Sequence, residues 1–326
     1  EYLLWYEIRI ESSRGRCSSL KDTNAAGLEF MYNIPIIINI FLSYNSLERV
    51  VLDMKRNFKM PTIVLIILSA LFLLIKSPAY IIAKSTGYKA LKAFAYYKTT
   101  EFSKSVDSYE TKNFIVNNLG AEDDVVEKLI GLLEKSYNLI GNEFGYFPSK
   151  RTPVYIYGSL EEFYEQNRYF SGEKIMGLYH LGVIHIIVPE VFGMDFYEFE
   201  KNGPVLHEYT HKVVDELTDG NLEIWFTEGM ALFQEYKQYG NEWGKGLEFD
   251  NMYSMRDLRK NFLSLDSVQA YRQSFQIIKN IYDEHGEEKV LELLSLLKKG
   301  SNMDKALNEV FYGDMVTRKK GFIPFG

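Results

Sequence analysis

The sequence predicts an α+β fold: a small mixed sheet with a helical C-terminal part, preceded by a hydrophobic signal or anchor segment. Three observations carry this. Strand-like runs at Asn113–Asn117, Pro153–Tyr157 and Val183–Val188 are separated by helical patterns. From Pro204 onward the apolar spacing is helical. Ahead of all of them, Pro61–Ile75 contains no charged residue.

Taken in order, residues 1–53 sustain neither a helical nor a strand period. A secretion signal belongs at an N-terminus, so Met54 is expected to be the natural start, with residues 1–53 disordered or foreign to the natural protein. Residues 54–83 read as a signal peptide or signal-anchor helix, because Lys55, Arg56 and Lys59 precede the uncharged run. Basic residues on that side place the long C-terminal part outside the cytoplasm. The protein is therefore expected either at the cell membrane as a single-pass protein, held through residues 60–83, or secreted. Residues 84–105 read as a connector rich in lysine.

From about residue 106 to 315 the pattern is that of one catalytic-sized domain, with 316–326 as a tail. A helix over Glu122–Gly141 follows the first strand, with Val126, Leu129, Ile130, Leu133, Tyr137 and Ile140 on one face. A second helix is expected over Leu160–Gln166. A later one spans Glu287–Leu297, where Val290, Leu291, Leu293, Leu294 and Leu297 face the core.

Charge and cysteine content exclude several functions. A net charge of −7 and a pI near 5.5 argue against a broad nucleic-acid surface. Cys17 is the only cysteine, which rules out an intramolecular disulfide and a thiolate-built zinc site. Any metal must be held by histidine and carboxylate.

Such donors occur at helical spacing in Val205-Leu206-His207-Glu208-Tyr209-Thr210-His211. Asn202 is placed to cap this helix, Pro204 to open it and Gly220 to stop it. Residues four apart lie one above the other, so His207 and His211 aim at one point that can hold zinc. Glu208 is rotated by about 100° and suits a general base acting on water. The next apolar helix offers Glu228 as third ligand, with Thr227 as its cap and Gly229 and Ala231 allowing close packing on the His helix. Two His and one Glu leave a fourth tetrahedral position open, as in catalytic zinc sites. Position 214 is Val and 217 is Leu, which excludes the metzincin pattern.

With Trp225, Glu228, Gly229 and Ala231 following the two histidines, the chain resembles the gluzincin peptidases, and within them the peptidase MA-like family. The likeness extends loosely from about Tyr109 to Gly313, taking in Ala270–Phe275 and Tyr282–Gly286. It implies a thermolysin-like catalytic domain, one Zn2+ ion and hydrolysis of a peptide or protein substrate. It also implies an oxyanion donor beyond the third ligand, for which Tyr271 is the candidate. By analogy Val183–Val188 is the candidate edge strand that pairs with extended substrate. Asp215, Glu216 and Asp219 are either surface charges or groups that orient a zinc-bound imidazole. His185 is expected to be a partly exposed strand residue, His180 a turn residue, and His285 to precede a helix-ending Gly286. The rival reading is a non-enzymatic cell-surface binding domain that keeps the peptidase fold. Glu208 argues against it, because binding alone needs no general base.

Overall fold

Side chains alternate across a strand, so the partners of successive residues reveal what covers each face of a sheet. In the computed structural model, which describes residues 78–170 and 175–312, both faces are covered. The elements run from helix α1 (Pro78–Phe102) through β1 (Asp107–Glu110), β2 (Phe114–Leu119), α2 (Asp123–Phe144), β3 (Thr152–Tyr157) and α3 (Leu160–Gln166). There follow β4 (Gly177–His180), β5 (Val183–Ile187), α4 (Phe196–Asn202), α5 (Val205–Thr218) and α6 (Ile224–Tyr239). The last are α7 (Met255–Asn261), α8 (Ser267–Lys298) and α9 (Met303–Leu307), with a π-helical turn at Asn308–Tyr312.

The sheet order is β1-β2-β3-β5-β4. β2, β3 and β5 are parallel, with Val116 opposite Val154 and Val154 opposite Ile184. The flanking strands β1 and β4 are antiparallel to their neighbours. On one face Val116, Val154, Ile156, Ile184 and Ile186 share a core with Leu129 and Leu133 of α2 and with Tyr209 and Val213 of α5. On the other, Tyr157 and Ile187 pack with Phe163 of α3, and Val183 packs with Ala95 of α1. The expected mixed α+β architecture is present, and the sheet is covered by helices on both sides.

That covering corrects two expectations. β5 is not an edge strand: it lies between β3 and β4, and all five of its residues are buried. The edge is β4, joined to β5 by a two-residue turn in which Leu181 and Gly182 both take positive φ, 48° and 88°. His185 is likewise buried, stacked on Tyr155 and Tyr157, with its Nδ1 2.8 Å from the Tyr157 hydroxyl. His180 ends strand β4, and the turn follows it.

Helix ends follow local chemistry. The expected face of α2 holds, with Val126, Leu129, Leu133 and Ile140 fully buried. The helix passes Gly141 and ends at left-handed Gly145. Gly141 is needed for close packing instead, since a Cβ there would lie 2.2 Å from the Phe147 ring. Ser159 caps α3 by accepting from Glu162 N–H. Within α8, Gly286 (φ 77°, ψ 173°) breaks the helix, so the run ending at His285 is followed by a second one. Val290, Leu293, Leu294 and Leu297 of that second run are buried, as expected.

No helix among the described residues is long and apolar enough to cross a membrane. The hydrophobic segment expected at 54–83 lies, up to Ser77, outside the described residues, as do residues 1–53 and the 316–326 tail. Residues 84–102, expected as a connector, form most of α1.

Burial holds the His185 imidazole at a pKa of about 3, with the charge of His180 adding to the effect. An unfolded histidine titrates near 6.5, so between about pH 6.5 and 3 the unfolded chain binds a proton that the folded chain refuses. Stability contributed by the neutral ring is present above pH 6.5 and lost as pH falls. His185→Gln is expected to reduce the acid slope of stability by up to about 1.4 kcal/mol per pH unit. Urea unfolding at pH 7 to 5 measures this, and equal slopes in both proteins would contradict it.

Candidate metal centre

Helix α5 presents its two imidazoles one turn apart, ring centroids 4.7 Å from each other and nearly perpendicular. Both side chains are buried. Glu228, in the second turn of α6, brings Oε2 to 3.2 Å from Nε2 of His207 and 3.6 Å from Nε2 of His211. A tetrahedral Zn2+ with bonds of about 2.0–2.1 Å spaces its ligand atoms roughly 3.3 Å apart. The donor spacing therefore suits such an ion. Among the described residues, these three form a group whose donor atoms all lie within 4.8 Å of one another.

Each imidazole is fixed from behind. Glu235 Oε1 stands 3.1 Å from His207 Nδ1. A carboxylate can only accept, so Nδ1 carries a proton and donates it, and Nε2 faces the centre. Thr227 Oγ1 is 2.7 Å from His211 Nδ1 and can accept in the same way. Burial disfavours a charged His207 ring, but the carboxylates of Glu235 and Glu228 outweigh it and push its pKa up to about 10. Burial would raise the Glu228 carboxyl, yet the His211 and His207 rings hold it well below the usual range. The cluster thus favours positive charge between its donors, which a divalent cation supplies.

The close approach of the helices depends on Gly229. A Cβ on it would lie 2.5 Å from the Ser274 carbonyl oxygen and 2.6 Å from Ile278. This glycine seats α6 on α8, where the sequence suggested contact with the His helix. Thr227 lies inside α6, whose N-cap is Glu223, so its hydroxyl is free of capping and serves His211. Asn202 ends α4 and does not cap α5, which begins after Pro204. The stop at Gly220 is shared with Asp219, whose left-handed φ of 54° turns the chain out of the helix.

Glu208 is buried beside the cluster. Gly177, the first residue of edge strand β4, fits against it: a Cβ there would meet Pro204 Cβ at 2.5 Å and Glu208 Cγ at 3.0 Å. Tyr271 is partly buried, its ring 6.0 Å from Trp243 and 5.5 Å from Phe262. It lies three residues before Ser274, the residue that touches Gly229, and so about one helical turn along α8 from the Glu228 segment.

The acidic residues downstream have other partners than the imidazoles. Asp215 is buried and accepts from Tyr88, Lys92 and Tyr179. Glu216 pairs with Lys212 and Tyr146, and Asp219 with Lys89 at 2.8 Å. The orienting role falls to Glu235 and Thr227. Glu235 lies seven residues beyond Glu228, hence on the same helical face, and that spacing is the signal that could have found it.

A small mixed sheet beside a helix pair bearing two His and one Glu fits a metallopeptidase-like domain. The profile of the Peptidase MA superfamily matches residues 140–322, more than half of the chain, and the chain belongs to that superfamily. No curated protein matches it.

Glu235→Gln is expected to weaken zinc binding by about 10–100-fold, because the imidazole loses its charged acceptor. Competition against a chromogenic chelator measures this. An affinity equal to wild type would detach Glu235 from the metal centre.

Proposed function

We propose that this chain is a zinc-dependent peptidase of the gluzincin type, with His207, His211 and Glu228 as metal ligands and Glu208 as general base. One observation carries the reading: two buried imidazoles and the half-buried Glu228 carboxylate, with donor atoms 3.2 and 3.6 Å apart and the far nitrogen of each imidazole already engaged by Glu235 or Thr227. Such a set suits one Zn2+ with a fourth position open to solvent or substrate.

A Zn2+ ion held there would supply Lewis acidity toward a water molecule and the scissile carbonyl. Glu208 takes the proton of the attacking water and passes it to the departing amine, so that one carboxylate serves both halves of the hydrolysis. Its burial beside Pro204 and Gly177 limits how far the carboxylate can swing. Tyr271 is the candidate donor to the oxyanion, supported by its place one turn from Ser274. Strand β4, whose outer edge pairs with no other strand among the described residues, takes over the substrate-pairing role first expected of β5. An extended peptide on that edge would run past Gly177 and Glu208. The catalytic domain acts outside the cytoplasm, tethered by the apolar segment at residues 60–83 or released from it, a reading that rests on the lysine and arginine placement before Pro61.

Glu208→Gln is expected to keep one zinc per chain while lowering kcat/KM on a quenched fluorogenic peptide by about 10²–10⁴-fold. A chelator should abolish wild-type cleavage and added zinc restore it. Cleavage that survives both the variant and the chelator would contradict the mechanism. Stoichiometric zinc with no cleavage by wild type would favour the binding-domain reading instead.

A further inference from the structure

Asp215 is a buried carboxylate, 5% exposed, that hydrolysis does not use. It stands four residues beyond His211, one turn further along α5. Its oxygens are engaged by two other elements. The Tyr88 hydroxyl of α1 donates to Oδ1 at 2.9 Å, and Lys92 of α1 and Tyr179 of β4 both donate to Oδ2. Burial and the charge of Asp215 push both tyrosine hydroxyls above their ordinary pKa, so they remain donors throughout the neutral range.

Other contacts seat α1 at the same place. Lys89 pairs with Asp219 at the end of α5. The Tyr88 ring lies against Gly220, where a Cβ would come within 2.3 Å of it. The Lys92 stem lies against Gly182, in the turn that joins β4 to β5, and Ala95 packs with Leu181 and Val183 of the same hairpin. Helix α1 therefore grips both the end of the metal-bearing helix and the hairpin that supplies the edge strand.

The edge strand is thus pinned to α5 at two points. Gly177 touches Pro204 and Glu208 near the start of the helix, and Tyr179 reaches Asp215 one turn past His211. These two strand residues, two apart, lie on one face of β4. The first contact is steric and needs no partner. The second converges on a buried negative charge whose direct ion-pair partner comes from α1, and removing that cation weakens its compensation.

We propose that α1 is a positioning element for the catalytic domain: seated on Asp215 through Tyr88 and Lys92, it holds β4 in register along α5 so that an extended peptide can pair with the strand beside Glu208. This rests on the peptidase reading given above.

The test uses the full chain, comparing wild type with Tyr88→Phe, with Tyr88→Phe combined with Lys92→Met, and with Lys98→Met on the exposed side of the same helix as control. Each is assayed below its melting midpoint on an extended quenched peptide and on a short amide reporter that spans only the scissile bond. Zinc content and amide hydrogen exchange are measured alongside. The double variant is expected to raise KM for the extended peptide about tenfold, with kcat, short-reporter cleavage and zinc content near wild type, and to speed exchange at Gly177–His180. The Lys98 variant should match wild type. Unchanged KM on the extended peptide, or unchanged exchange in β4, overturns the proposal and leaves α1 a purely stabilising helix. If wild type cleaves neither substrate, the peptidase reading fails by itself, and exchange in β4 still decides whether α1 positions the strand.

Discussion

A pair of buried imidazoles facing a pair of carboxylates has to hold positive charge, and the architecture around α5 and α6 follows from that requirement. His207 is drawn between Glu228 on one side and Glu235 on the other, and both acids come from one face of α6. Neither acid could reach a buried ring unless the two helices were packed closely and held there. Packing is arranged from outside the pair, by Gly229 seating α6 on α8 and by Tyr209 and Val213 seating α5 on the sheet. A buried charge cluster of this kind adds little to stability by itself, because desolvation offsets much of the attraction. Its retention in a well-packed core fits a role in holding a cation.

The sheet serves the site in a second way. Three parallel strands, β2, β3 and β5, are buried on both faces and make a rigid floor. At β4 the backbone reaches the His helix, and the absence of a side chain at Gly177 lets it come close to Glu208. The same hairpin is fixed from the far side by α1. The Glu208 carboxylate, the edge strand and α1 are thus linked through contacts no longer than a few side chains.

What the sequence revealed and what it hid divide along the range of the interactions. The clustering of His207, His211 and Glu228 was legible because one helix fixes the spacing of the two histidines and a second apolar helix follows after a short loop. Tyr88 and Tyr179 could not be joined to Asp215 in advance, since they lie 127 and 36 residues away and meet it only once α1 and the hairpin have packed. The turn at Gly182 was expected, but strand β4 before it was not, because Gly177 and Gly182 together read as turn residues around His180. His185 was misplaced because alternation with apolar neighbours suggests one wet face, whereas helices cover both. Thr227 and Asn202 have side chains that favour capping, yet Glu223 and Pro204 occupy the cap positions, which frees Thr227 for His211. The membrane-proximal reading concerns residues 54–83, which up to Ser77 lie outside the described residues, and it stands on the uncharged run Pro61–Ile75 and the basic residues before it.

In the proposed function one zinc ion sits among His207, His211 and Glu228. Anomalous diffraction recorded on either side of the zinc absorption edge, from crystals of the zinc-loaded protein, tests it most directly. The account predicts a single strong anomalous peak about 2.0–2.2 Å from both Nε2 atoms and from a Glu228 carboxylate oxygen, absent in His211→Ala. A peak elsewhere, or no peak in protein shown to be folded and exposed to stoichiometric zinc, would contradict it.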